Sequence, residues 1–112
     1  MIDWERVEEL ISEIGSEDFG EVVELFLEEV DAAMGDLVAG GNVEATQQTL
    51  HLVKGCAWNL GFAELGKICA AQEDLGDPLS TATAAHLQTT YATSRAAFID
   101  GLVARSITAP AA

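Results

Sequence analysis

The chain has 112 residues and a net charge of −14, from 19 acidic and 5 basic side chains. Its length suits one domain around one core, and a hydrophobic fraction of 49% argues against wholesale disorder. The charge excludes nucleic acid as a partner, because neutralising phosphates takes clustered Lys and Arg. No apolar run of about 18 residues is present to span a membrane.

The first residues, Met1-Ile2-Asp3-Trp4-Glu5, lack the basic and apolar segments of a signal peptide, so cytoplasmic residence is the expectation. The acidity is uneven. Residues 1–31 hold 12 acidic groups against Arg6 alone, whereas the other 81 residues hold 7 acidic and 4 basic groups. This reads either as a solvated acidic face or as a surface that steers a basic partner and repels wrong ones.

Apolar residues recur at helical rather than strand spacing, so the chain is expected to be all-α. The first helix runs from an Asp3 cap to Ile14, with Trp4, Val7, Leu10, Ile11 and Ile14 as one stripe and Gly15 as the stop. The second follows Ser16 and runs to Ala39. It buries Phe19, Val22, Val23, Phe26, Leu27, Val30, Ala33, Met34 and Leu37, and ends at Gly40-Gly41. The third is capped by Asn42 and reaches Asn59. The fourth runs from Ala63 to Leu75, before Gly76-Asp77-Pro78. The fifth starts at a Ser80 or Thr81 cap and extends to Arg105, with Ala84, Leu87, Tyr91, Ser94, Phe98 and Leu102 facing inward.

Short loops between amphipathic helices imply antiparallel neighbours. The expected architecture is an up-down antiparallel four-helix bundle with an additional short N-terminal helix capping it. Residues 1–105 form the single domain, and 106–112 a frayed tail. Cys56 and Cys69 form no CxxC and sit in apolar helical surroundings, so buried thiols are expected rather than a disulfide.

On the third helix, at about 100° per residue, Val43, Thr46, Leu50, Val53, Ala57 and Leu60 share one side. Ala45, Leu52 and Cys56 widen it along one flank. His51 falls elsewhere, on a polar stripe with Gln47, Lys54, Gly55 and Trp58, near Glu44 and Gln48. Lys54, at i+3, can reach a group attached to the imidazole. Gly55, at i+4, costs about 1 kcal/mol relative to alanine in mid-helix. It leaves either a bare surface for a second protein or room for helix packing. Trp58, at i+7, is an exposed anchor for a partner or a side chain packed under the first helix. Gln47, Gln48, Gly55 and Trp58 are therefore the candidate docking residues around His51.

The run His51-Leu52-Val53-Lys54-Gly55-Cys56-Ala57-Trp58-Asn59-Leu60-Gly61 resembles the signature of histidine phosphotransfer (HPt) domains, H-x-x-K-G-[small]-[small]-x-x-[apolar]-G. Downstream, Leu65, Cys69 and Glu73 resemble the L-x-x-x-C-x-x-x-E pattern of that family's next helix. Cys56 stands where Ser or Ala is usual, and Gln72 where leucine is common. The resemblance implies a phosphocarrier rather than an enzyme. His51 would accept a phosphoryl group from a receiver-domain aspartate and pass it to another receiver, with a hybrid histidine kinase as one source of such a receiver. Lys54 would steady the phosphoryl charge, and Gly55 would leave room for docking. No cofactor is expected on this chain, since Mg²⁺ would come with the receiver. The chain is expected to act as a free-standing monomer.

The chemistry agrees. A neutral imidazole, with an unperturbed pKa of about 6.5, is a competent nucleophile near pH 7. Phosphoryl transfer asks mainly for in-line placement and charge stabilisation. No GxxxxGK[ST] is present, so neither an ATP site nor autokinase activity is expected. Metal-binding bundles use inward Glu-x-x-His spacing. His51 instead follows Gln47 and Gln48, and His86 follows Ala82 and Thr83, so no metal site is expected. A hydrolase would need a pocket and an orienting carboxylate, and the nearest acidic residue along the third helix, Glu44, is two turns away. The remaining alternative is an acidic helical adaptor that binds partners without phosphotransfer.

Overall fold

The computed structural model describes residues 1–107. It is a rod of 41 × 22 × 21 Å built of α1 (Trp4–Ile14), α2 (Ser16–Ala39), α3 (Val43–Leu60), α4 (Ala63–Leu75) and α5 (Thr81–Ala104). Neighbours in sequence pack side by side from α2 to α5, and α5 closes the ring against α2. The all-α bundle and its capping helix are as expected. Among the described residues no helix is long and apolar enough to cross a membrane.

The helix boundaries follow local chemistry. Asp3 accepts a hydrogen bond from the Arg6 amide at 3.2 Å, Asn42 from Ala45 at 2.7 Å, and Ser80 from Thr83 at 3.0 Å. Each satisfies an amide that a helix start leaves unpaired. Ser80 rather than Thr81 is thus the α5 cap. α3 continues one residue beyond Asn59, to Leu60, before Gly61 turns left-handed at φ 76°. α5 stops at Ala104, where the Arg105 amide still reaches the Gly101 carbonyl.

The tail begins differently from expectation. Ser106 and Ile107 are tied back by amides bonded to Val103 and Leu102, and Ile107 packs against the core. The rest of the expected frayed segment, 108–112, lies outside the described residues.

α1 is stitched across the end of the bundle. The Asp3 amide donates to the Gly61 carbonyl at 2.8 Å. Trp4 stacks on Phe98 with ring centroids 6.1 Å apart, and the Arg105 guanidinium lies 3.7 Å above the Trp4 ring. Arg6 reaches Asn59 Oδ1 on α3 at 3.0 Å while pairing with Glu9 and Glu13. Phe62, in the turn between α3 and α4, is fully buried and meets Phe98 edge-on at 5.3 Å. Val22 and Phe26 of α2 are only partly buried.

Cys56 and Cys69 are free, buried thiols. Burial pushes Cys69 up to about 12, helped by the Glu73 charge. It pushes Cys56 up to about 11, helped by Glu29. Neither is a thiolate nucleophile near neutral pH. Gln72, where an apolar residue was the pattern, is buried and donates through Nε2 to the Asp77 carbonyl at 3.5 Å, tying the end of α4 to the following loop.

Candidate functional site

α3 carries Leu50, Val53, Ala57 and Leu60 into the core with no residual exposure. That orientation leaves the opposite face of the same helix to water. His51 stands there, with its side chain 74% exposed. Val43 and Leu52, assigned to the apolar side on the helical wheel, are exposed instead. Val43 lies in the first turn, and Leu52 at the edge of the stripe faces solvent beside α2.

The imidazole is not isolated. Glu73, projecting from α4, places Oε2 3.3 Å from His51 Nδ1. Its other oxygen lies 3.1 Å from Lys54 Nζ, an ion pair that is close but not aligned as a hydrogen bond. Both Lys54 and Glu73 are largely buried against the α3–α4 seam, in contrast to the ring. The expectation that the nearest orienting carboxylate is the distant Glu44 is therefore corrected: a second helix supplies it. Lys54 is likewise not a free ammonium, because Glu73 occupies it.

A signal for Glu73 was present in the spacing. His51 lies eleven residues before Phe62, and Glu73 eleven residues after it. In an antiparallel hairpin of helices, residues equidistant from the turn come level. Leu65, Cys69 and Glu73 also advance by one turn each along a single face of α4. Leu65 and Cys69 point into the core, and Glu73 emerges where α4 leans on α3.

The same symmetry resolves Trp58. It lies four residues before Phe62, level with Gly66 four residues after it. A Cβ on Gly66 would come within 2.9 Å of the indole, so the missing side chain makes a flat seat. Trp58 therefore packs on α4, not under α1, and still shows 43% of its surface to solvent.

Gly55 has no atom within 4 Å of where a Cβ would stand. Helix packing does not require this glycine, and the surface beside His51 is bare. Gly55→Leu is expected to stabilise the chain by up to about 1 kcal/mol, read from the urea midpoint. It is also expected to slow phosphate exchange with a docked partner more than about tenfold, equal to about 1.4 kcal/mol of barrier. Normal exchange would remove the need for clearance.

Of the other docking candidates, Gln48 is exposed, whereas Gln47 is half-buried with its Nε2 enclosed and unpartnered. The structure thus gathers His51, Lys54, Gly55, Gln48 and one face of Trp58 on one surface, and draws Gln47 partly beneath it. Among the described residues no group of three His, Cys, Asp or Glu side chains could hold a metal ion. His86, on α5, lies apart in a shallow groove with Glu64, Ile68 and threonines.

An exposed imidazole gripped at one nitrogen by a carboxylate, on a bare helical surface, has the means to accept a group from another molecule. No curated protein and no solved structure matches the chain. The Hpt domain model matches residues 21–100, which takes in most of α2 and α5 and the whole of α3 and α4. The chain belongs to the Hpt domain family, whose members serve histidine phosphotransfer in two-component systems.

Proposed function

We propose that this protein is a phosphocarrier in a two-component phosphorelay, in which His51 takes a phosphoryl group from a receiver-domain aspartate and delivers it to another. The observation that carries the reading is the exposed His51 ring held through Nδ1 by Glu73.

A carboxylate accepts, so the hydrogen bond selects the tautomer with its proton on Nδ1. Nε2, on the far edge of the ring, then keeps its lone pair for attack. In the forward step that lone pair forms a bond to phosphorus, the phosphorus–oxygen bond of the aspartyl phosphate breaks, and its electron pair returns to the receiver's carboxylate. The ring becomes a phosphoimidazolium, and its new positive charge sits beside the Glu73 carboxylate. Reversal of the same steps delivers the group to the next receiver. Lys54 balances Glu73 and, one turn from His51, lends positive charge to the approaching phosphoryl oxygens. Gln48, Gly55 and Trp58 form the docking floor, with Gln47 at its edge. The receiver brings Mg²⁺ and its own acidic pocket. One donor is a receiver domain of a hybrid histidine kinase, and the chain acts in the cytoplasm without autokinase activity.

The test is incubation with receiver domains charged by acetyl phosphate. Acid-labile, base-stable phosphate should appear on this chain, and an acceptor that binds receivers without gaining phosphate would instead be the adaptor. Lys54→Ala and Glu73→Gln are each expected to slow transfer about tenfold, about 1.4 kcal/mol of barrier, without abolishing it. Both act on charge and ring orientation rather than on the bond that forms. Unchanged rates in rapid-quench measurements would remove them from the site.

A further inference from the structure

α5 and α2 are equally long, but their surfaces differ. α2 carries eight acidic residues, whereas α5 carries one acidic and one basic residue, Asp100 and Arg95. Leu87, Tyr91, Phe98 and Leu102 form the core side of α5. A second uncharged stripe, Ala85, Thr89, Ala92, Ala96, Ile99 and Val103, runs along its outer side. Ile99 is half-buried and the others are exposed, Val103 to 65%. A solvent-facing helix surface ordinarily carries polar and charged side chains. Here the steps alternate strictly between four and three residues, the period of the a and d positions where two helices pair.

The two charges flank this stripe. With Ala96 and Val103 at a and Ala92 and Ile99 at d, Arg95 takes a g position and Asp100 an e position. Both line one groove with Asp31 and Tyr91. Arg95 Nε is enclosed without a hydrogen-bond partner. Neither Arg95 nor Asp100 forms an ion pair among the described residues. Asp31, across the groove, already accepts from the Tyr91 hydroxyl at 2.6 Å.

These charges choose the occupant. When two helices pair in parallel, a g residue faces the e residue five positions further along the partner. Arg95 and Asp100 are that far apart, so a second copy meets each charge with its opposite, reciprocally about a two-fold axis. An antiparallel pair would set Arg95 against Arg95 and Asp100 against Asp100. Alanines in the seam let the two backbones come close. α5 makes no contact with α3, so His51 stays open in both copies.

We propose that this chain forms a two-fold homodimer through the outer face of α5, with the helices parallel, Ala92, Ala96, Ile99 and Val103 in the seam and reciprocal Arg95–Asp100 ion pairs on its flanks. The free-standing monomer expected from the sequence is then the dilute form. Pairing is independent of the phosphocarrier reading, since each copy keeps a complete His51 site.

Sedimentation equilibrium of the full chain should show association below about 1 mM. Asp100→Arg places a guanidinium opposite Arg95, and Arg95→Asp places a carboxylate opposite Asp100. Each is expected to weaken association about tenfold at about 50 mM NaCl, with a smaller deficit at about 500 mM. The chain carrying both substitutions should regain the parental affinity, a recovery that a merely structural role for either residue would not produce. Arg95 is partly buried, so circular dichroism checks each fold, and Ala96→Glu, at an exposed position, breaks the seam by a second route. Ala96→Cys should cross-link to itself under mild oxidation, because a parallel seam brings position 96 of both copies together, while Cys56 and Cys69 are buried. A parent chain still monomeric at about 1 mM, single-charge variants that associate like the parent, or no recovery in the doubly exchanged chain would overturn the proposal. Absence of the cross-link would overturn the parallel arrangement.

Discussion

A His51→Gln chain is expected to accept no phosphate from any receiver domain, while its helicity and urea midpoint stay close to those of the parent. The loss is complete because glutamine offers no nitrogen lone pair able to form a stable bond to phosphorus. The fold survives because the ring is mostly in water, and its polar contact is with Glu73 at 3.3 Å. An exposed substitution of this kind typically shifts stability by less than about 0.5 kcal/mol. Glutamine also keeps an amide that can approach Glu73, so the buried carboxylate is not abandoned. The measurement is acid-labile phosphate after incubation with a charged receiver, beside circular dichroism. Residual label in this variant would shift attention to His86. That second histidine has threonines at i+3 and i+4 and lacks the Lys–Glu pairing that His51 enjoys.

The second large effect is structural. Gly61→Val is expected to destabilise the chain by about 4 kcal/mol, through left-handed strain and overpacking acting together. Gly61 closes α3 at φ 76°, a conformation that costs a β-branched residue heavily. A Cβ there would also stand 2.6 Å from the Asp3 carbonyl oxygen, a backbone atom held in place by the Asp3–Gly61 hydrogen bond. α1 would have to lift from the end of the bundle, loosening Trp4 from Phe98. Gly76→Val is the natural control. Its φ is 67° but a Cβ would meet nothing within 4 Å, so it should lose only the strain, about 1–3 kcal/mol. Urea unfolding of the two variants, with hydrogen exchange across α1, compares them. Equal losses would mean that the close approach of α1 to Gly61 contributes nothing.

Much of this architecture was legible in the chain itself. Apolar spacing marked five helices, and Asp3, Asn42, Gly15, Gly40 and Gly76 punctuated them, because caps and glycine stops are local chemistry. The exposure of His51 was also legible, since burying Leu50 and Val53 on one side of a helix turns residue 51 outward. Edges of the apolar stripe were harder. Leu52 and Val43 look like core residues on a wheel, yet whether a flank is covered depends on where the next helix lies. The same holds at the other margin, where Phe62 reads as a turn residue and is in fact at the centre of the aromatic cluster.

Short-range chemistry gives an all-α chain, the register of each helix and the outward aspect of His51. These follow from interactions between residues a few positions apart. The packing of one helix on another is what brings Glu73 to His51 and Lys54, rests Trp58 on Gly66 and leaves the surface at Gly55 bare. Those relations join residues on different helices, and a helical period says which way a side chain points but not which helix lies opposite it. The candidate site is therefore half local and half assembled: the exposed imidazole comes from α3 alone, and the carboxylate beside it from the packing of α4.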